Sequence, residues 1–221
     1  MCGRYALHAQ PEVIALQFGV PPPGRLAPRY NVAPGTLILV LADAARRRLE
    51  NWHWGLVAPS AKALAGEKGI INARSESVAE KPMFRAAFRR QRCLVPASGY
   101  YEWQSGGGRK QPWYIRPADA PLFGFAGIYT LHRSEFGEVG TVAILTTGAS
   151  ASIRAIHERM PAILRPDAYD RWLDPAADPE SLLPLLGPCS PERLVPHPVS
   201  PRVNSVSNDD ESCILPDASI F

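Results

Sequence analysis

The sequence predicts a single α+β domain dominated by β structure, built as a barrel-like mixed sheet with short peripheral helices. Its 221 residues are enough for one sizeable core. Short apolar runs separated by turn residues fill the middle of the chain. No internal repeat and no shift in composition divides it. We therefore treat residues 1–221 as one domain with a polar, irregular tail from about residue 200.

Local patterns place the individual elements. Alternating or continuous apolar runs predict strands or extended segments at residues 4–7, 36–41, 49–57, 93–97, 99–103, 113–116, 122–130, 141–147 and 160–164. Helical apolar spacing, often with proline near the first turn, predicts helices at residues 11–18, 82–90, 150–157, 166–173 and 179–186. Turn-forming residues predict loops at residues 21–24, 30–35, 58–69 and 105–108.

Composition argues against several classes of protein. No apolar run approaches the roughly 20 residues of a membrane span, and no charged-then-apolar signal peptide opens the chain. The four cysteines, Cys2, Cys93, Cys189 and Cys213, have no CxxC spacing, so neither a zinc site nor a disulfide framework is indicated. We expect reduced thiols, no metal or other cofactor, no membrane partner and a cytoplasmic monomer.

The basic residues are nearly all arginine: 20 Arg stand against 4 Lys, with a net charge of +3. Arginine suits bidentate contacts with phosphate. A GC-rich genome also encodes arginine and proline freely, and the chain has 23 prolines. We therefore attribute most of the arginine excess to the base composition of the genome, and we expect only particular arginines to be functional.

Cys2 follows the initiator Met1 directly, and its small side chain permits removal of that methionine. The new terminus would carry an amine and a thiol on adjacent carbons. An α-amine has a pKa near 8, so roughly a quarter of it is neutral at pH 7.5. The thiol is a second nucleophile. Such a pair can convert an aldehyde to an imine and then a thiazolidine, or attack an amide. The alternative is an apolar cysteine at the start of a strand.

Glu102 lies in the aromatic run Gly-Tyr-Tyr-Glu-Trp. With a period of two, Tyr100 and Glu102 share one face of a strand, and Tyr101 and Trp103 share the other. A carboxylate beside aromatic surface tends to have a raised pKa and can move protons. The alternative is that Glu102 faces water on the outer side of a half-buried sheet.

Asn72 follows an apolar segment, where an amide can orient a nucleophile or a carbonyl; a turn-forming asparagine is the alternative. Arg74 suits a phosphate or a local ion pair with Glu76. His157 lies between a predicted helical turn and an extended segment, a place where active-site residues often occur. It suits a general acid at neutral pH, although a structural or exposed histidine is the alternative. The alternating Trp52 and Trp54 are explained by core packing more simply than by base stacking.

Taken together, seven blocks resemble the SRAP (SOS response-associated peptidase) family in content and order. They are Cys2-Gly3-Arg4, Asn31-Val32-Ala33-Pro34, Trp54-Gly55-Leu56, Asn72-Ala73-Arg74-Ser75-Glu76, Gly99-Tyr100-Tyr101-Glu102-Trp103, His157-Glu158-Arg159-Met160-Pro161 and His197-Pro198-Val199. The resemblance implies a protein of the bacterial cytoplasm that binds abasic sites in single-stranded DNA, is nucleoid-associated when bound, and crosslinks to the lesion through Cys2. It also implies crosslink reversal, AP-lyase activity and self-processing peptidase activity.

The same resemblance implies a role for each site residue. Glu102 acts as acid and base, His157 protonates the sugar oxygen, and Asn72 orients Cys2 and the sugar. The residues implied to contact DNA are Arg4, Arg74, Arg159, Pro34 and Trp54. One departure concerns residues 58–63, where relatives carry a DNA-packing tryptophan and this chain has no aromatic residue. Because base stacking contributes about 1–3 kcal/mol, we expect weaker DNA affinity, with Lys62 and Lys68 compensating in part.

Two other functions fit part of the pattern. An N-terminal-nucleophile amidohydrolase or glutamine amidotransferase can also begin with Cys-Gly after processing. A non-catalytic single-stranded DNA-binding module would need none of the chemistry of Cys2.

Overall fold

The computed structural model describes residues 2–42, 48–58, 69–106, 108–134 and 137–218. The strands, numbered in chain order, are β1 (Tyr5–Leu7), β2 (Arg29–Val32), β3 (Leu37–Leu41), β4 (Leu49–Trp54), β5 (Asn72–Arg74), β6 (Arg92–Ala97), β7 (Gly99–Gly106), β8 (Arg109–Pro117), β9 (Phe123–Ser134), β10 (Gly137–Gly148), β11 (Arg159–Pro161), β12 (Ile163–Leu164) and β13 (Leu194–Pro198). The α-helices are α1 (Pro11–Phe18), α2 (Pro82–Arg90), α3 (Tyr169–Leu173) and α4 (Pro179–Leu182).

Five strands close into a mixed barrel, which confirms the predicted fold class. The ring runs β10–β4–β3–β6–β9 and returns to β10; only the β10–β4 pair is parallel. Closure pairs the strand edges that an open sheet would expose. Val40, Leu94, Phe125 and Ile144, one from each of four barrel strands, have no exposed surface. The barrel therefore encloses much of the apolar core.

A second sheet carries the start of the chain. Its strand order is β13-β8-β7-β1-β2, so β1 lies between β2 and β7 and is antiparallel to both. Tyr5 pairs with Tyr100 of β7 in this arrangement. The short β5 is added to barrel strand β10 in parallel, with Asn72 opposite Ile144. The two sheets thus bring the chain start, β5 and β7 into one region.

The helices at residues 11–18 and 82–90 form as predicted. Both have proline at the first helical positions, and α1 ends at Gly19, which is left-handed with φ of 61°. The helix predicted at residues 150–157 is wrong, because that segment forms successive turns. Within the region predicted at 179–186, the α-helix stops at Leu182 and a 3-10 turn follows. Pro184 explains the stop, since it has no N–H to donate back to the helix.

Two further expectations need correction. Residues 30–35 were predicted as a turn, but the first of them belong to β2, and the turn begins only after Val32. The strand β13 was not predicted, because it contains Pro196 and Pro198. Proline is tolerated there because β13 is an edge strand of its sheet.

The chain after residue 200 is more ordered than its polar composition suggests. It forms two 3-10 turns, Pro201–Asn204 and Glu211–Cys213. The buried amide of Asn31 donates to the backbone carbonyls of Val203 at 3.2 Å, Ser205 at 3.0 Å and Asn208 at 2.7 Å. This segment is therefore fixed against β2. Among the described residues, no helix is long and apolar enough to cross a membrane.

Candidate active site

Cys2 lies just before strand β1, and this position brings it into the site. The residue is fully buried, and its backbone carbonyl accepts a hydrogen bond of 2.7 Å from Nδ2 of Asn72. Its thiol makes a long contact of 3.8 Å with the carbonyl of Arg4. Burial, aided by the negative charge of Glu102, raises the pKa of the thiol far above its ordinary value. The thiol is therefore protonated at neutral pH and needs a base before it can attack.

Asn72 reaches Cys2 because β5 is added to the barrel next to the second sheet. This contact joins residues that are 70 positions apart in the chain. The amide oxygen of Asn72 is buried and has no hydrogen-bond partner among the described residues. A buried polar atom without a partner is costly, so this oxygen is suited to receive a donor from a ligand or from the chain terminus.

Glu102 points into the protein on the face of β7 that it shares with Tyr100. Only 3% of its surface is exposed, so the alternative of a solvent-facing carboxylate is wrong. Tyr100 packs against Phe123 and Phe125, with ring centroids 6.2 and 6.0 Å apart. Burial raises the pKa of Glu102 to about 7. A carboxyl group with this pKa exchanges protons readily near neutral pH.

His157 lies beside Glu102, with Nε2 of the imidazole 3.9 Å from Oε2 of the carboxylate. Partial burial lowers the pKa of His157, which favours the neutral ring. The backbone N–H of Arg159 donates to Nδ1 at 3.0 Å. Nδ1 also lies 3.2 Å from the carbonyl oxygen of Arg159, so the backbone of Arg159 holds this edge of the ring and leaves Nε2 facing Glu102. Two groups that can exchange protons therefore face each other.

An open cavity of about 460 Å³ gives access to this pair. Its volume lies in the range of ordinary ligand sites. It is lined by Glu102, Trp103, Ser105, Lys110, His157 and Asn204. Asn204 comes from the tail segment, where its side-chain oxygen accepts a bond of 2.7 Å from Nε1 of Trp103. The tail therefore forms one wall of the cavity.

Three of these wall residues were missed by sequence reasoning: Ser105, Lys110 and Asn204. Lys110 pairs with Ser105 across the β7–β8 hairpin. The register of that hairpin and the position of the tail against the cavity cannot be predicted from local sequence. Asn31, which holds the tail, belongs to one of the family-like blocks named above. That block was the one feature of the sequence that pointed to Asn31.

The three predicted phosphate-binding arginines differ in their surroundings. Arg4 donates to Oδ1 of Asn31 at 2.7 Å and to the carbonyl of Val203 at 2.9 Å. Arg159 donates to both carboxylate oxygens of Glu76, at 2.5 and 3.0 Å. The guanidinium of Arg74 is exposed and makes no hydrogen bond or ion pair with the described residues. The hydrogen bond from Arg159 and, more weakly, the charge of Arg74 lower the pKa of Glu76. The local Arg74–Glu76 ion pair does not form, because Arg159 takes that carboxylate.

The structure corrects the assignment of Trp54 as a DNA contact. Trp54 has no exposed surface, donates from Nε1 to the carbonyl of Ile71 at 3.0 Å, and packs edge-on against Tyr5. It belongs to the core, as its alternation with Trp52 suggested. Pro34 is partly exposed in the turn between β2 and β3 and stays a predicted DNA contact. Residues 59–68, which include Lys62 and Lys68, lie outside the described residues, as does Met1.

Replacing Trp54 by alanine is expected to lower the free energy of unfolding by about 3–5 kcal/mol, because it leaves a large cavity in the core. Urea denaturation of the variant and the wild type measures this loss. Trp54→Phe is the control, since it keeps most of the ring volume and loses mainly the bond to Ile71. A loss below about 1 kcal/mol in Trp54→Ala would contradict a core role.

Among the described residues, no group of three or more histidine, cysteine, aspartate or glutamate side chains is arranged to hold a metal ion. The polar groups around the cavity include the titratable pair Glu102 and His157, and the buried Cys2 thiol lies near enough to Glu102 for that carboxylate to help raise its pKa. Of the four predicted catalytic residues, Cys2, Asn72, Glu102 and His157, the described geometry links Asn72 to Cys2 and His157 to Glu102.

Comparisons with known proteins identify the family of this chain. The profile of the family described as SOS response associated peptidase (SRAP) matches residues 1–206. The chain is 37% identical to the abasic site processing protein YoqW of Bacillus subtilis, covering 97% of this chain and 99% of that protein. It is 30% identical to the abasic site processing protein YedK of Escherichia coli, covering 98% and 100%. A crystal structure of a protein from Bacteroides thetaiotaomicron superposes with a TM-score of 0.87 at 26% identity, covering 98% of this chain and 100% of that one.

Proposed function

This chain belongs to the SRAP family, and from that premise we propose that it processes abasic sites by linking Cys2 covalently to the lesion in single-stranded DNA. Several curated relatives are named abasic site processing proteins. The observation that carries the proposal is the placement of Cys2 against Asn72, beside a Glu102 carboxyl with a pKa of about 7.

The chemistry begins with loss of Met1, which gives Cys2 a free α-amine. The open form of an abasic sugar exposes an aldehyde at C1′. The amine attacks this carbon, and loss of one water gives an imine. The thiol sulfur of Cys2 then adds to the imine carbon, its proton passes to the imine nitrogen, and a five-membered thiazolidine closes. One water leaves in all, and no oxidant or reductant is required.

The order of the two attacks follows from the ionisation of the groups. Burial raises the pKa of the Cys2 thiol, so it is the weaker nucleophile before a base acts on it. An α-amine is partly neutral at pH 7.5. The amine therefore attacks first and the thiol closes the ring. The ionised form of Glu102 takes the thiol proton, and its protonated form assists sugar opening and reversal of the crosslink.

The remaining residues hold the reactants. Asn72 fixes the backbone of Cys2 through its carbonyl, and His157, whose Nε2 faces Glu102, gives a proton to the opening sugar oxygen. Arg74 is free to take a phosphate. Arg159 reaches one only if the phosphate displaces or joins Glu76, and Arg4 fixes the tail wall of the cavity. The bidentate geometry of arginine suits all three to phosphate.

The direct test is intact-mass spectrometry of the protein after incubation with a single-stranded oligonucleotide that contains one abasic site. We expect an adduct that survives heat and detergent. Its mass should equal the protein without Met1 plus the DNA, less one water. An undamaged strand of the same sequence is the control. A crosslinked species that retains Met1 would contradict the mechanism.

The same sample distinguishes the alternatives. Release of ammonia from glutamine without a DNA adduct would support an amidotransferase and overturn the proposal. DNA binding that never becomes covalent would support a non-catalytic module. Self-removal of Met1 would appear as loss of its mass in a purified, aminopeptidase-free preparation, and it is compatible with the crosslinking step.

A further inference from the structure

Helix α2 carries a row of cations that the site does not use. Lys81, the N-cap residue, and then Arg85 and Arg89 recur every four residues and so lie along one face; Arg90 follows Arg89 in the last turn. All four are exposed. We call these four residues the α2 basic stripe. The adjacent face of the helix buries Phe84 and Phe88 in the core.

Among the described residues, no carboxylate forms an ion pair with any of these four cations. The helix also has no acidic residue in its first turn. Like charges four residues apart destabilise a helix, and a cation at the N-terminus opposes its dipole. Dipole stabilisation explains Arg89 and Arg90 in the last turn but not Lys81 or Arg85. The stripe therefore suits an anionic ligand.

The stripe is joined directly to the candidate site. The exposed Arg74 ends β5, whose first residue is Asn72, and only a 3-10 turn, Ser75–Ser77, and a short bend separate it from Lys81. Backbone bonds from Lys81 to Ser77 at 3.0 Å and from Arg85 to Lys81 at 2.8 Å fix this connection. A short, hydrogen-bonded segment thus joins Arg74 to the stripe, and the exposed Glu76 and Glu80 lie between them in sequence.

Resting on the proposed function, we propose that the α2 basic stripe binds the phosphate backbone of the nucleic acid strand that flanks the lesion. From Lys81 to Arg89 the stripe covers about 12 Å of helix, with about 6 Å between successive cations. That length holds a few phosphates outside the cavity. Such contacts add affinity without reading sequence, because they reach only the backbone.

The test compares salt dependence on strands of two lengths. One oligonucleotide of roughly five nucleotides fills the cavity region alone, and one of roughly 20 nucleotides extends past it. In the double variant Arg85→Gln/Arg89→Gln, the slope of log affinity against log salt on the longer strand should fall by about 1.4, since each single-strand phosphate contact contributes about 0.7. On the short strand the variant should match the wild type in affinity and crosslinking.

A matched control removes two charges elsewhere. Arg25→Gln/Arg165→Gln lowers the net charge equally and should leave the slope unchanged, as should Arg85→Lys/Arg89→Lys, which keeps the charge. Glutamine and arginine have similar helix propensities, so the variants should have about the same melting temperature as the wild type. The affinity for the longer strand without a lesion measures the contribution of the stripe independently of the covalent step. If no adduct forms on any strand but the salt slope still falls in Arg85→Gln/Arg89→Gln, the crosslinking mechanism is wrong and the inference about the stripe is supported.

Other outcomes would overturn the inference. An unchanged slope on the longer strand, or an equal fall in the Arg25/Arg165 control, would exclude a backbone contact by the stripe. Repeating the salt titration on duplex DNA shows whether the stripe prefers single-stranded or duplex DNA. Loss of binding to anionic phosphatidylglycerol vesicles, without any effect on DNA, would assign the stripe to a membrane surface and contradict the proposal.

Discussion

Substituting alanine for Cys2 is expected to abolish the heat-stable adduct with abasic single-stranded DNA, while non-covalent affinity stays within about a factor of three. The variant keeps an α-amine once Met1 is removed, so imine formation survives. It has no thiol to close the thiazolidine ring. The imine should therefore remain reversible, and reduction with borohydride should trap it.

The variant separates the roles of the amine and the thiol. An imine that is not locked permits elimination of the 3′ phosphate, so strand cleavage should increase in Cys2→Ala relative to the wild type. Denaturing gel electrophoresis, with and without borohydride, measures adduct and cleavage together. Cys189→Ala is the matched control, because that thiol is partly exposed and lines a different cavity. A heat-stable, unreduced adduct in Cys2→Ala would exclude the thiazolidine.

The sequence could nominate the reactive residues but not their orientation. The period-two pattern of β7 correctly placed Tyr100 and Glu102 on one face, yet it left open whether that face is buried. That choice depends on the pairing of β7 with β1 and β8 and on packing against Phe123 and Phe125. Those residues are distant in sequence, so no local pattern records them.

Long-range partners explain the other differences. The carboxylate of Glu76 is bound by Arg159, 83 residues away, and not by the nearby Arg74. The tail is held by the amide of Asn31 through backbone carbonyls, which carry no side-chain signature. Helices α1 and α2, by contrast, have their start and stop signals within their own segments, and both were predicted correctly.

The second large effect is expected from Glu102→Gln. Glutamine keeps the shape of the side chain but cannot exchange a proton, so the crosslinking rate should fall by about 10²–10⁴-fold with little change in DNA affinity. In the wild type the rate should pass through a maximum near pH 7, because the protonated carboxyl assists sugar opening and the ionised carboxylate takes the thiol proton. The variant should lack this maximum, which single-turnover kinetics between pH 5 and 9 would reveal.

The same substitution should also change how stability depends on pH. The pKa of Glu102 is raised from 4.5 to about 7 by burial, so the folded state favours the protonated carboxyl. Its stabilising contribution is therefore fully present below pH 4.5 and is lost as pH rises through about 7. Relative to Glu102→Gln, the wild type should lose roughly 3 kcal/mol of unfolding free energy between pH 4.5 and pH 8.

Urea denaturation of both proteins at the two pH values measures this difference. Glu12→Gln is the control, since Glu12 is exposed in the first turn of α1 and its substitution should change stability by less than about 1 kcal/mol. If wild type and Glu102→Gln responded equally to pH, the carboxyl would have an ordinary pKa. It would then be fully ionised at neutral pH and unable to supply the proton that sugar opening requires.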